Sequence, residues 1–395
     1  MGTKVIKDAL IVIGRLSYPS ATAPSNRVHL YCKALKNEKG FPFVINLHST
    51  FIDQQPFNYL GRHEGIPFYY AQKTIMHEKR FLIRNIKKIK GFINTFIVLK
   101  KLKKNHDFKV LFYATEIIDE FFLFIFLKII RVSIVRDCSE IPKFIMHEKK
   151  SKQFHHTFLR LKLKMYDRLI VISDFLNSFY SEIFPKNNIF QIPILVDMKR
   201  FSKKPEIINH KKNIITYVGF MGGNKDGLEN LINSMVSINE QNKNVLLQLV
   251  GSAPKEDMCR LRNKVEGLNL SNSIAFLGRR SADEIPSLLF NSDLLVLARP
   301  NNNQARAGFP TKLGEYLASG KPIVITKTGE IPKYLKDNVS AYLAEPDDIS
   351  HFVEKVLFAL SDSHAAEIGR NGLEIANSNF NYQLYGKEIL KIVQS

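Results

Sequence analysis

Gly308-Phe309-Pro310-Thr311-Lys312-Leu313-Gly314-Glu315-Tyr316-Leu317-Ala318-Ser319-Gly320-Lys321-Pro322-Ile323-Val324 reads as a loop that opens a short helix, stops it at Gly320 and feeds a strand. The first backbone N–H groups of such a helix have no intrahelical partner and point at an anion. Lys312 adds a mobile positive charge beside them. Glu315, about one turn in, is placed to accept hydrogen bonds from the hydroxyls of a ligand. A phosphate-and-diol reader beside a parallel sheet suits a nucleotide-sugar. An ordinary amphipathic helix with a glycine stop has the same spacing, so the stretch alone leaves both readings open.

The surroundings extend the pattern in both directions. Asn213–Gly219, Val245–Val250, Ile274–Leu277, Leu294–Ala298, Pro322–Thr326 and Ala341–Leu343 are short apolar runs alternating with helical segments. Ala9–Ile13, Phe41–Leu47, Lys109–Tyr113, Val132–Arg136, Arg168–Ile172 and Asn188–Ile192 repeat the alternation earlier in the chain. Runs of this kind, β-branched and without period-2 alternation, are strands buried on both faces. The expected fold class is α/β, with two Rossmann-like, doubly wound parallel domains facing across a cleft. Residues 1–200 form the first domain, 201–380 the second, and 381–395 a closing helix that crosses back to the first. The polar, Lys-rich segment Val196–Lys212 is the expected boundary.

The 395 residues carry a net charge of +20, and the charge is uneven. Residues 1–200 hold 34 lysines and arginines against 16 acids, so +18 resides in that half. Residues 73–109 are the densest part, with Lys87, Lys88, Lys90, Lys100 and Lys101 interleaved with Ile86, Ile89, Phe92, Ile93 and Phe96. This pattern fits a basic amphipathic helix lying on an anionic membrane surface. It also fits a solvated helix whose apolar side faces the core. No recognition module accompanies the charge, so nucleic acid is not an expected partner. Three dispersed cysteines show neither a disulfide framework nor metal-ligand spacing. The N-terminus lacks the long apolar core of a signal peptide, and Phe121–Ile130 is too short to span a bilayer. The expected location is cytoplasmic, peripherally attached to the inner face of the membrane.

Ligands of doubly wound folds bind outside the carboxyl ends of the strands. The loop after Gly219 carries Gly222, Gly223, Asn224 and Lys225: either a close approach to a diphosphate or a glycine turn with a solvated lysine. Ser252, Gly278 and Arg279 follow other strand ends, where a flat base can lie on backbone. Arg299 and Arg306 flank a polar tip that is either a sugar reader or a surface loop. In the first half, Asn26, Arg27, Glu116, Asp137 and Glu140 lie at carboxyl ends and are the acceptor-side candidates; each acid alone is equally a structural group. Ser173 and Asp174 open a helix in the same way.

Together, YVG, Lys225, LVGS, FLGR, ARP and GFPTKLGEYLASGKPIV resemble the retaining glycosyltransferases of family 4, which have the GT-B fold. The small-residue loop ending in Asn26-Arg27, VISDFL and IPILVDMKRF extend the resemblance into the first half. It implies that Glu315 is the second acid of an E-x7-E pattern and holds ribose hydroxyls. It also implies that the amides of Gly308, Phe309 and Thr311, around Pro310, cradle the diphosphate with Lys225, and that Gly278-Arg279 lines the base. The expected catalytic pair is Lys225 and Glu315. The first acid of the pattern is replaced by Ala307, and the arginine after the strand-end glycine by Phe220. No Asp-x-Asp occurs, so metal-independent transfer with no cofactor is expected. The expected partners are a nucleotide-diphosphate-sugar donor and a glycan or lipid-linked acceptor, in polysaccharide assembly. A nucleotide-sugar epimerase of similar fold, or a non-catalytic nucleotide-sugar-binding protein, is the alternative.

Overall fold

A computed structural model describes residues 6–394 except 21, 52–56, 143–151, 204, 207, 209–210 and 224. The first domain is built on β1 (Ile6–Gly14), β2 (Phe41–Asn46), β3 (Leu60–His63), β4 (Ile66–Tyr70), β5 (His106–Tyr113), β6 (Ile134–Cys138), β7 (Arg168–Val171) and β8 (Ile189–Gln191). Their order in the sheet is β3-β4-β2-β1-β5-β6-β7-β8. The helices are α1 (Ala23–Asn37), α2 (Phe81–Asn105), α3 (Ile117–Ile129), α4 (Lys152–Leu163) and α5 (Asp174–Ser181). Ala9, Ile11 and Ile13 bury one face of β1, and Leu10 and Val12 bury the other. That double burial is why the strand reads as an unbroken apolar run.

The second domain has β9 (Asn213–Val218), β10 (Val245–Val250), β11 (Ile274–Gly278), β12 (Leu294–Leu297), β13 (Ile323–Thr326) and β14 (Tyr342–Ala344), in the order β11-β10-β9-β12-β13-β14. Its helices are α6 (Leu228–Gln241), α7 (Lys255–Gly267), α8 (Glu284–Phe290), α9 (Asn303–Ala307), α10 (Lys312–Ala318), α11 (Ile331–Tyr334), α12 (Ile349–Ser361) and α13 (Ala365–Ile375). All pairs in this sheet are parallel. The last helix, α14 (Gly386–Gln394), returns to pack on α1 through Ile389, Ile392 and Val393. The crossing is held by Val196 N donating to Phe380 O at 2.8 Å and Tyr382 N donating to Val196 O at 3.1 Å.

One departure from the expected all-parallel first sheet is the β3–β4 hairpin, which adds β3 antiparallel at the edge. The turn at Glu64-Gly65 places both residues at positive φ, which glycine adopts without a Cβ penalty. Each sheet has a switch point where neighbouring connections diverge. In the first it lies between β1 and β5, and in the second between β9 and β12. Loops leaving these strand ends build the crevice.

Candidate functional site

At the second switch point the strand ends form a ladder of their own. Gly219 N donates to Val250 O at 2.8 Å, Met221 N to Ser252 O at 2.9 Å, and Gly251 N to Gly278 O at 2.9 Å. Gly219, Gly222, Ser252 and Gly278 are thus brought to one edge, with Gly223 and Arg279 exposed beside them. Ser252 contributes through its carbonyl. Asn224 lies outside the described residues. A Cβ at Gly219 would fall on the Lys312 ammonium, so the glycine leaves room for that side chain to pass beneath the loop.

The ammonium of Lys312 is not the mobile charge expected from the sequence. It is enclosed, 2.5 Å from Asp226 Oδ2 and 2.8 Å from Tyr217 Oη, and lies 4.2 Å from the centre of the Tyr217 ring. Burial lowers its proton affinity, against the pull of Asp226. Burial likewise pushes the Asp226 carboxyl up, but Lys312 and Arg299 together hold it below the usual aspartate range. Arg299 is also a correction: it is fully buried rather than on a polar tip. Its Nη1 donates to Gly308 O at 3.4 Å and its Nε lies 3.8 Å from Asp226 Oδ1. Arg306, by contrast, is exposed. The charge lost at Phe220, itself 60% exposed, is therefore not replaced by Arg299 at the surface.

Gly308, Phe309 and Pro310 are buried, so the amide crown is narrower than expected. Gly308 N already donates to Gln304 O at 3.0 Å, closing α9. Phe309 stacks on Tyr334 at 5.4 Å and meets Phe380 at 5.5 Å. Pro310 has no N–H to offer. Thr311 and Lys312 remain as the first-turn donors of α10. One turn further in, Glu315 is half-buried and its Oε1 is ion-paired with Arg200 Nη1. Arg200 sits on the 3-10 turn Met198–Phe201 that follows the first sheet, and its Nη2 donates to Ala282 O at 2.7 Å. No motif assigned Arg200 a role in the sequence; its signal was only its place in IPILVDMKRF.

The two domains meet over this edge. Lys225 Nζ lies 3.3 Å from Glu140 Oε1 of the first domain. A small open cleft is lined by Ser139, Glu140, Ile141, Lys225, Gln304 and Gly308. Beside it, the buried Ser173 hydroxyl caps α5 by accepting from Leu176 N and donates to Ala307 O at 2.6 Å. Asp174 N donates to Glu330 Oε1 at 2.8 Å, and Lys333 pairs with the Asp174 carboxylate at 2.8 Å. Ala307 is itself fully buried, so the position of the missing acid faces protein.

On the acceptor side only Glu140 lines that cleft. Arg27 is buried and donates to Pro193 O at 2.6 Å and Ile192 O at 2.7 Å, bracing the chain between the domains. Asp137 is buried too, accepting from Tyr31 Oη at 2.9 Å and Ser139 N at 3.0 Å. Both are corrected from candidate contacts to framework. Asn26 is half-buried in the first turn of α1. Glu116 is exposed and paired with Arg15. Sequence reasoning missed Arg15, His48 and Asp119, which meet where β1, β2 and β5 end. Asp119 Oδ2 lies 3.1 Å from both Arg15 Nε and His48 Nε2. They are dispersed in sequence, so no spacing announces them.

Among the described residues, His29, His63 and Glu64 form the one group whose ligand atoms lie within 4.8 Å of one another, as a metal site requires. It sits at the β3–β4 turn, and Lys33 already holds Glu64 Oε2 at 2.6 Å. A neighbouring ammonium opposes a second cation there.

Residues 198–374 match the family of glycosyl transferases group 1. The span covers the domain that carries Lys225, the Gly308 loop and Glu315. The chain is 21% identical over 262 residues to the lipopolysaccharide 1,2-N-acetylglucosaminetransferase of Salmonella typhimurium, covering 63% of this chain and 66% of that one. It spans less than two thirds of the length of this and other relatives it matches. In three dimensions the Anabaena protein Alr3699/HepE, crystallised with UDP, superposes with a TM-score of 0.69 at 17% identity, covering 97% of this chain and 98% of its own. Sucrose-phosphate synthase from Thermosynechococcus elongatus gives 0.75 at 15% identity, with 98% of each chain covered. The fold is that of the GT-B glycosyltransferases.

Proposed function

We propose that this chain is a retaining glycosyltransferase that moves a hexose or related sugar from a nucleotide diphosphate to an acceptor hydroxyl. One observation carries the reading: Lys225 pairs with Glu140 of the first domain, both lining an open cleft whose wall includes Gly308, at the edge where Gly219, Ser252 and Gly278 converge. The structural neighbour crystallised with UDP supports uridine as the nucleoside of the donor. The match to a lipopolysaccharide transferase supports a cell-surface glycan as the setting.

In the reaction, the bond from the anomeric carbon to the diphosphate oxygen breaks, and a bond to the acceptor oxygen forms on the same face. The acceptor's proton goes to the departing phosphate. Lys225 and the first amides of α10 neutralise the charge that develops on the diphosphate, without a metal ion. Glu315 takes the ribose hydroxyls once Arg200 yields its carboxylate. Closure of the domains over the cleft excludes water and limits donor hydrolysis.

Buried Ala307, where the family pattern carries an acid, favours a second reading as a non-catalytic nucleotide-sugar binder. Incubation with UDP-, GDP- and ADP-sugars, with and without lipid extract, separates the readings. Release of free nucleotide with transfer supports the enzyme, whereas tight binding without turnover supports the binder. Interconversion of the sugars identifies an epimerase and rejects both.

A further inference from the structure

We propose that α2 and α3 together form a docking plate for an anionic lipid bilayer. The sequence left open whether the apolar side of α2 faces the core or the outside. In the structure the core side of α2 is held by Gly91, Thr95 and Leu99. Leu82, Ile86, Ile89, Ile93 and Ile97, spaced by three and four residues, form a stripe pointing away from it; Leu82 is 74% exposed and Ile89 61%. Helix α3 repeats the arrangement. Its Leu123 and Leu127 are buried, while Ile118, Phe121, Phe122, Ile125 and Ile129 are exposed. Phe96 stacks on Phe126 at 4.5 Å and Phe92 meets Phe122 at 6.3 Å, so the helices run side by side in the same direction. The two stripes therefore make one surface. A contiguous apolar plate of this kind marks an interaction site rather than ordinary surface.

Charge decides the occupant. Lys90, Lys100, Lys101 and Lys104 are exposed on α2, and Lys87 and Lys88 are half-exposed. The acids near them are already matched: Glu78 by Arg80 and Lys87, and Asp107 by Lys103. The acids of α3, Asp119 and Glu120, are buried. A second copy of the chain would set lysine against lysine across the plate. Lipid phosphates complement the lysines while acyl chains receive the isoleucines and phenylalanines. Among the described residues no helix is long and apolar enough to cross a membrane, so the contact lies in the surface plane.

The plate also has a direction. Helices α2 and α3 both start from the carboxyl edge of the first sheet, after β4 and β5 respectively, which is the edge that faces the cleft. Exposed Phe81, Leu82, Ile117 and Ile118 sit at those starts. An acceptor anchored in the bilayer would enter the cleft from the plate without leaving the lipid surface. The lipid contact itself does not rest on the proposed transfer reaction.

Co-sedimentation of the full chain with phosphatidylcholine vesicles, with and without about 30 mol% phosphatidylglycerol, tests the surface. The expected result is binding that is at least about tenfold stronger with phosphatidylglycerol and weakened by about 0.5 M salt. Ile89→Asp/Ile93→Asp and Lys100→Glu/Lys101→Glu are each expected to lower vesicle affinity roughly tenfold or more while keeping the wild-type melting temperature. Failure of the wild type to pellet with the anionic vesicles overturns the proposal. So does binding left undiminished in both variants, or a concentration-dependent dimer that excludes vesicles. A parallel UDP titration of the same wild-type protein reads the donor site separately, so failure there leaves the lipid result standing.

Discussion

Arg200, on the turn between the two sheets, closes on the carboxylate of Glu315 at the head of α10. The acid proposed to hold the donor's ribose is therefore occupied by the protein's own cation, which belongs to the connection between the domains. A nucleotide that takes Glu315 must displace or share Arg200, so donor binding is coupled to the geometry of the interdomain turn.

The first prediction follows from that pair. Glu315→Ala is expected to weaken UDP binding about tenfold or more, the scale of a lost charge-assisted hydrogen bond. Isothermal titration reads the affinity. Arg200→Ala is expected to cost about 1 kcal/mol of stability or less, because the pair is only partly buried. Unchanged UDP affinity in Glu315→Ala would remove the ribose role.

Lys225 gives a more selective outcome. Its pair with Glu140 is substantially exposed, so Lys225→Ala should leave stability within about 0.5 kcal/mol of wild type. Affinity for UDP should fall, whereas affinity for uridine, which lacks the diphosphate, should stay the same. An equal loss for both ligands would place Lys225 away from the phosphates.

The buried cluster beneath the Gly219 loop makes a stability prediction. Asp226→Ala leaves Lys312 and Arg299 enclosed without their acid, at a cost of about 3–5 kcal/mol in urea unfolding. The sign with pH follows from the depressed Asp226 value. Its stabilisation is fully present above the unfolded value of 3.8 and is lost as pH falls through the lower folded value. The wild type should show this acid loss and Asp226→Asn should show less of it.

His29 predicts a second, separate pH window. Burial pushes its imidazole from 6.5 down to about 4. As pH falls the unfolded chain takes up the proton first, so stability declines from 6.5 and levels off below about 4. The total is roughly 3 kcal/mol. Melting curves across this window should flatten in His29→Gln, and a slope equal to wild type would show that His29 is protonated in the fold.

Much of the architecture was legible because strands buried on both faces must be apolar throughout, as Ile11 and Val12 are on opposite faces of β1. The β3–β4 hairpin escaped notice: β4 is a short run, Ile66–Tyr70, interrupted by Pro67, and β3 has the complementary problem. Leu-Gly-Arg-His is largely exposed and carries no such run, and only the Glu64-Gly65 turn signals it. At the site, the strand-end glycines, Lys225 and Glu140 could be placed from their position after apolar runs. The contact between Lys225 and Glu140 could not, since it joins residues far apart in the chain.

What the sequence determined by itself was the alternation of the central parallel strands with helices, the glycines at the strand ends and the concentration of positive charge in one half. Local periodicity and backbone sterics are encoded residue by residue. Which way each charged or apolar face points was decided only by tertiary packing. Lys312 turned inward to Asp226, Arg27 and Asp137 became framework, and the isoleucines of α2 turned outward. A helix carries the same stripe whichever side it buries, and only the partner across the interface selects the side.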